Sequence, residues 1–268
     1  MLKQRVLTAL ALLPPVLAVI VFASPQVLFS VFSIAGLLMA WEWTALMGLE
    51  ARSQRTIYLA LTGLSLGLAW AFQAQASAVF AAALIWWCLA LCLLPGFPEN
   101  LAGYKPGVVV MGLIGLLMIV PAILALALLQ SRGFWVLLFA LVLVWVADIG
   151  AYFAGRAFGR RKLAPLVSPG KTLEGALGGL AASAAWVLAI APLVFTLSDR
   201  QQLILLALSM VVVMFSIVGD LTESAFKRLA GVKDSGAILP GHGGILDRTD
   251  SLLAAMPIFA LGLGFVGQ

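Results

Sequence analysis

Charge is what this 268-residue chain has least of: Lys, Arg, Asp and Glu together make up 10% of it, while hydrophobic residues make up 63%. With a mean hydropathy of +1.12, that balance excludes a soluble domain of useful size and points to a polytopic membrane protein. Cysteine is almost as scarce. Cys88 and Cys92 stand four apart in an apolar run without a nearby histidine, so they read as reduced, buried packing residues and not as a zinc site or disulfide framework. The formal net charge is +5, but the basic residues are scattered between apolar segments and do not interleave with aromatics. Nucleic acid is therefore not an expected partner.

Long apolar runs fill the space that charge leaves. A span takes about 20 apolar residues, and runs at roughly 6–24, 27–49, 57–74, 76–95, 107–130, 133–155, 173–198, 201–220 and 251–267 predict an all-α, polytopic integral membrane protein with about nine transmembrane helices. The apolar runs are too uniform to divide, so residues 1–268 read as a single membrane domain. The first run follows Lys3 and Arg5 as a secretory signal would, but the next begins almost at once, which favours a span. Pro14 and Pro15 predict a kink or break within it. Trp70, Trp86, Trp87 and Trp135 fall near predicted ends, as an interfacial aromatic belt would place them. With the N-terminus inside, fourteen of the sixteen basic residues lie in inner loops, and only Arg132 and Arg200 lie outside. This is the bias of cytoplasmic loops, and it puts both long polar segments, about 155–172 and 220–250, on the cytoplasmic side.

Residues 219–250 hold five of the eleven carboxylates, four of the sixteen basic residues and the only histidine. Asp220, Glu223, Ser224, Lys227 and Arg228 recur at i, i+3, i+4, i+7 and i+8, which predicts one polar helix face. Gly231, Gly236, Pro240, Gly241, Gly243 and Gly244 then predict a loop whose backbone can approach a ligand closely. Asp247 stands where it can cap the next helix, with Asp250 three residues on. Carboxylates at two helix ends with Lys and Arg between them suit divalent cations and a polyphosphate.

A second polar segment follows the sixth run. Asp148 and Tyr152 are i, i+4 neighbours at its end, and Ser168-Pro-Gly-Lys171-Thr172 precedes the seventh. Ser168 is placed to cap that helix, and Lys171 with the helix N-terminus would attract an anion. A nucleotide P-loop is excluded, because Pro165 stands where its first glycine belongs and no strand precedes it. Gly175 and Gly179 fit close helix packing. Arg160-Arg161-Lys162 reads as a positive-inside anchor or as a contact for acidic membrane lipids. Glu42, between Trp41 and Trp43 inside the second run, needs a partner or a polar cavity, either at a functional site or in a helix-to-helix hydrogen bond.

Ser224, Lys227, Arg228, Lys233, Asp234, Gly236, Pro240, His242, Gly243, Gly244, Asp247, Arg248 and Asp250 together meet a signature without a departure. On these residues the chain resembles the bacterial phosphatidate cytidylyltransferase (CDP-diacylglycerol synthase) family. The Ser168 to Gly175 segment and the Asp148 to Tyr152 segment look like the family's as well; the N-terminal half resembles it only in hydropathy and in the Trp-Glu-Trp segment. The resemblance implies transfer of a cytidylyl group from CTP to phosphatidic acid, giving CDP-diacylglycerol and pyrophosphate in the bacterial cytoplasmic membrane. It also implies a magnesium requirement and a two-cation centre at Asp220 and Asp247, with potassium as a candidate second ion.

The lipid phosphate is already an anionic nucleophile, so the residues are needed for positioning and charge neutralisation. Lys227, Arg228, Lys233, Arg248 and Lys171 are expected at the triphosphate and lipid phosphate, with Ser168, Thr172, Ser224, Asp148 and Tyr152 beside the substrates. Asp250 would orient Arg248 or a metal-bound water, and His242 would either aid pyrophosphate departure or hold its turn. Glycine-rich helices are compatible with a homodimer. A CTP-dependent lipid kinase would use similar carboxylates but transfer the γ-phosphoryl group, and a transporter would be expected to show an inverted repeat, which this sequence lacks.

Overall fold

A computed structural model describes residues 2–97, 106–239, 241 and 243–267. Nine α-helices lie among them: α1 (Leu2–Phe22), α2 (Pro25–Leu46), α3 (Arg52–Ala71), α4 (Ala76–Leu93), α5 (Val108–Ser131), α6 (Phe134–Phe158), α7 (Leu173–Val194), α8 (Asp199–Leu229) and α9 (Leu246–Val266). Seven of them are long and apolar enough to cross a membrane; the other two are α1 and α3. Helix α3 falls short because it begins Arg-Ser-Gln-Arg and carries further hydroxyl residues. Helix α1 continues through Pro14 and Pro15, so of the kink or break expected there the break does not occur. A proline φ is itself helical, so the chain can stay in the helix although each ring removes a donor and crowds the carbonyl four residues back.

Helix α5 is apolar all round and is the most enclosed span, in contact with α2, α3, α4, α6 and α9. Its small residues admit partners. The Trp43 indole donates to the Met111 carbonyl at 2.8 Å, and the Tyr58 hydroxyl donates to that of Gly112 at 3.1 Å. A β-carbon at Gly115 would collide with both rings. These contacts fix the rotation of α2. Trp86 and Trp87 are buried and Trp86 stacks on Phe226, so they belong to the core and not to an aromatic belt. Cys88 and Cys92 are free, as expected, but exposed on α4 instead of buried, an outer face that suits apolar thiols in lipid. Phe22, Leu193 and Phe265 also face outwards, as they do when the solvent is hydrocarbon.

Two features at the polar end differ from the linear reading. The segment before α7 is an antiparallel hairpin of β1 (Lys162–Ala164) and β2 (Ser168–Thr172), with Lys162 opposite Thr172 and Ala164 opposite Ser168. Ser168 is thus tied up in the hairpin, and Thr172 caps α7 by accepting from the Gly175 amide at 3.1 Å. A cap must directly precede the first helical residue, and Ser168 lies four residues too early. Helix α8 continues beyond the apolar run that ends at 220 to Leu229, as the polar helix face from Asp220 to Arg228 predicted. Its 31 residues span about 46 Å, more than the ~30 Å hydrocarbon thickness, so the polar last third can leave the apolar layer without a break.

Candidate active site

Helix α6, the hairpin, α7 and α8 enclose a cavity of about 460 Å³ at this end. Asp148, Tyr152 and Arg156 line it from α6, Lys171 and Thr172 from the hairpin, and Ile217 and Asp220 from α8. Close approach of α6 and α7 shapes its wall. Gly155 and Gly175 lie backbone to backbone, and a β-carbon at Gly178 would collide with Ala154. Lys171 forms an ion pair with Asp220 across the cavity, and Asp148 lies in electrostatic range of both. The Arg156 guanidinium donates to the Tyr152 hydroxyl at 3.3 Å. Glu174 accepts from the amides of Arg160 and Arg161 at 3.0 and 3.1 Å, which holds the chain entering the hairpin.

Helix α9 supplies the remaining carboxylates. At Gly219 a β-carbon would strike the Asp250 carbonyl, so only glycine lets α9 pack this close to α8. That approach brings Asp250 into electrostatic range of Asp220 and Glu223. Asp247 is the second residue of α9, and its carboxylate accepts from the Gly244 amide at 2.8 Å and the Ser235 amide at 3.0 Å. It therefore braces the preceding loop instead of acting as the helix cap, a position held by Ile245. Lys227, buried in α8, donates to Asp247 at 2.6 Å and pairs with Glu223, which is fully buried.

The sequence-predicted residues thus fall into three groups. Asp148, Tyr152, Lys171, Thr172 and Asp220 line the cavity, with Ser224 donating to Asp220 from one turn along at 3.4 Å. Lys227 and Asp247 form a more enclosed network with Glu223, and Asp250 lies in electrostatic range of Glu223 and Asp220. Lys233 and Arg248 are exposed and outside the cavity lining, and Ser168 is confined to β2. Arg228 spends its guanidinium on the carbonyls of Val167 and Val232, both at 3.4 Å, linking the hairpin to the long loop. His242 lies outside the described residues. Glu223, Ser235 and the hairpin residue Leu163 were not singled out as site residues from sequence. Glu223 stood on the predicted polar face, whereas no local pattern marks Ser235.

A second cavity, of about 670 Å³ and apolar, lies between α4, the hairpin, α7 and α8, and Leu163, Ala176 and Ile217 form walls of both. Among the described residues no three His, Cys, Asp or Glu side chains are grouped to hold a metal ion by themselves.

A membrane bundle with a charged cavity beside an apolar one is the setting of an enzyme acting on an amphiphile, and comparison with known proteins gives the family. The profile of the cytidylyltransferase family matches residues 3–266, and the chain belongs to that family. It is 47% identical to a phosphatidate cytidylyltransferase of Pseudomonas aeruginosa, over all of this chain and 98% of the relative. It is 37% identical to one of Haemophilus influenzae, over 99% of this chain and all of the relative. A Staphylococcus aureus protein of the same name is 46% identical over 48% of this chain and 49% of its own length.

Proposed function

We propose that this enzyme transfers the cytidylyl group of CTP to phosphatidic acid, releasing pyrophosphate and forming CDP-diacylglycerol. The observation that carries the proposal is the shared wall between the charged and the apolar cavity. One substrate is then held with its phosphate beside Lys171, Arg156 and Asp220 and its acyl chain among Leu94, Leu177, Leu180 and Phe215. A soluble nucleotide needs only the first cavity, while a diacyl phosphate needs both.

In the reaction a lipid phosphate oxygen attacks the α-phosphorus of CTP, a new P–O bond forms, and the bond to the bridging oxygen of pyrophosphate breaks. That nucleophile needs no deprotonation, so the protein has to bring two anions together. Lys171 and Arg156 lower their mutual repulsion. Substrate seated against the apolar wall would leave less room for water, which otherwise competes as acceptor.

The residues fit magnesium, with potassium as a candidate second ion. Asp220 opens onto the cavity among Asp148 and Asp250, Lys171 is the only cation paired with it among the described residues, and a buried Glu223 oxygen has no hydrogen-bond partner. Asp220 and Asp247 would hold the ions, Asp247 by exchanging its contact with Lys227. Magnesium is commonly bound by one or two carboxylates with phosphate and water completing its shell, and it would neutralise phosphate charge and act as a Lewis acid. The basic-residue bias of the loops supports a site that faces the cytoplasm, and the bacterial relatives support an inner-membrane enzyme.

CTP labelled separately at the α- and γ-phosphates, supplied with phosphatidic acid and magnesium, tests this. The expected result is α-label in lipid and γ-label in pyrophosphate; γ-label in lipid would make the protein a kinase, and no transfer would end the proposal.

A further inference from the structure

We propose that Glu42, in the second helix, is a positioning residue for Asp247; as a statement about catalysis this rests on the cytidylyl-transfer reading above. Glu42 is almost fully buried. One carboxylate oxygen accepts from the Ile245 amide at 3.0 Å, and the other accepts from the Leu246 amide at 2.8 Å and the Ser235 hydroxyl at 3.3 Å. These are the amides at the start of α9, where no side chain of α9's own cap residue serves as acceptor. Helix N-termini leave amides unpaired and favour negative charge, so Glu42 performs from 203 residues away the task usually left to a local Ser or Asp.

The next residue after those two amides is Asp247. Its carboxylate braces Ser235 and Gly244 while Glu42 holds Ser235, Ile245 and Leu246, so the two acids hold the two ends of the same loop together. Trp43, anchored on Met111, fixes the helix face from which Glu42 projects. Space for the clamp comes from Gly236, where the three nearest atoms to a β-carbon would all be Glu42 side-chain atoms. Gly244 is likewise hemmed in by Glu42 and Ser235. The buried Trp-Glu-Trp acid and the glycines of the long loop are thus two halves of one device.

Four full-length purified proteins test it: Glu42→Gln, Glu42→Ala, Gly236→Ala and the double variant Glu42→Ala/Gly236→Ala. Two readouts are needed, kcat and KM for CTP, and hydrogen exchange of peptides covering 235–247. Glu42→Gln keeps the volume but turns an N–H donor towards an amide. A displacement of about 1 Å at a reacting site costs up to ~100-fold in rate, so kcat is expected to fall on that order with KM for CTP little changed, and exchange at 245–246 to quicken while α6 and α7 stay protected. Gly236→Ala should do the same alone and add nothing in the Glu42→Ala background, because the atoms it would strike are gone.

Unchanged kcat and exchange in Glu42→Gln would overturn the proposal, as would a Gly236→Ala penalty that is the same with and without Glu42. A lowered melting temperature with normal kcat in the folded fraction would assign Glu42 to stability alone and overturn it too. If Glu42→Ala does not fold, Glu42→Gln and Gly236→Ala carry both readouts by themselves. A wild-type protein that transfers no label would remove the catalytic reading, and the exchange data would still decide whether Glu42 holds this loop.

Discussion

Lys171 on the hairpin and Asp220 on α8 form an ion pair across the charged cavity, so two separately built elements are joined at the site. Both groups are partly exposed, and a pair in such a setting is held loosely enough for a phosphate to replace the carboxylate. Lys171→Ala should therefore lower kcat/KM without abolishing turnover. A charge-assisted contact contributes about 1.5–3 kcal/mol, which corresponds to roughly 10- to 100-fold. Steady-state kinetics with CTP and phosphatidic acid varied in turn will show it, and an unchanged profile would return the hairpin to a structural role.

Asp247→Asn should abolish measurable turnover while leaving a protein that extracts and melts close to wild type. Lys227 keeps Glu223 as its counter-ion after the change, so the usual penalty of about 3–5 kcal/mol for stranding a buried charge does not apply in full. Label transfer and thermal unfolding in detergent, measured on the same preparation, separate the two effects. Full activity at ordinary magnesium would remove Asp247 from the proposed ion site.

Thr172 and Ser168 offer a direct contrast. Thr172→Ala removes the α7 cap and should cost about 1 kcal/mol, whereas Ser168→Ala should leave stability nearly unchanged. Thermal unfolding of the two variants side by side reverses this order only if Ser168 is the true cap.

Ala176 is a wall of both cavities, so Ala176→Phe adds bulk where they meet while every charged residue stays in place. The KM for long-chain phosphatidic acid should rise by about tenfold or more, as expected when a well-packed apolar contact is lost, while the KM for CTP stays near wild type. Equal changes in both would place the acyl chain elsewhere.

Much of the architecture was legible in the linear chain because burial in a membrane leaves a local record. Nine apolar runs correspond one to one with nine helices among the described residues, and the polar face from Asp220 to Arg228 lies on one continuous helix. Helix ends were less legible. Asp247 read as the cap of the last helix, yet Ile245 holds that position and Asp247 lies within the first turn. The hairpin was hidden because Pro165, Pro169 and Gly170 read as loop, and its pairing is visible only when both strands are placed.

What the sequence alone determined was an all-α membrane protein with its chemistry concentrated in two polar segments, since hydropathy and helical spacing are properties of neighbours. Only the tertiary structure decided which charges meet. It turned Lys227 towards Glu223 and Asp247, pointed Arg228 at two carbonyls, paired Lys171 with Asp220, and gave Glu42 the amides of Ile245 and Leu246. Most of these partners come from separate elements, and close approaches at Gly115, Gly219 and Gly236 help set which elements meet.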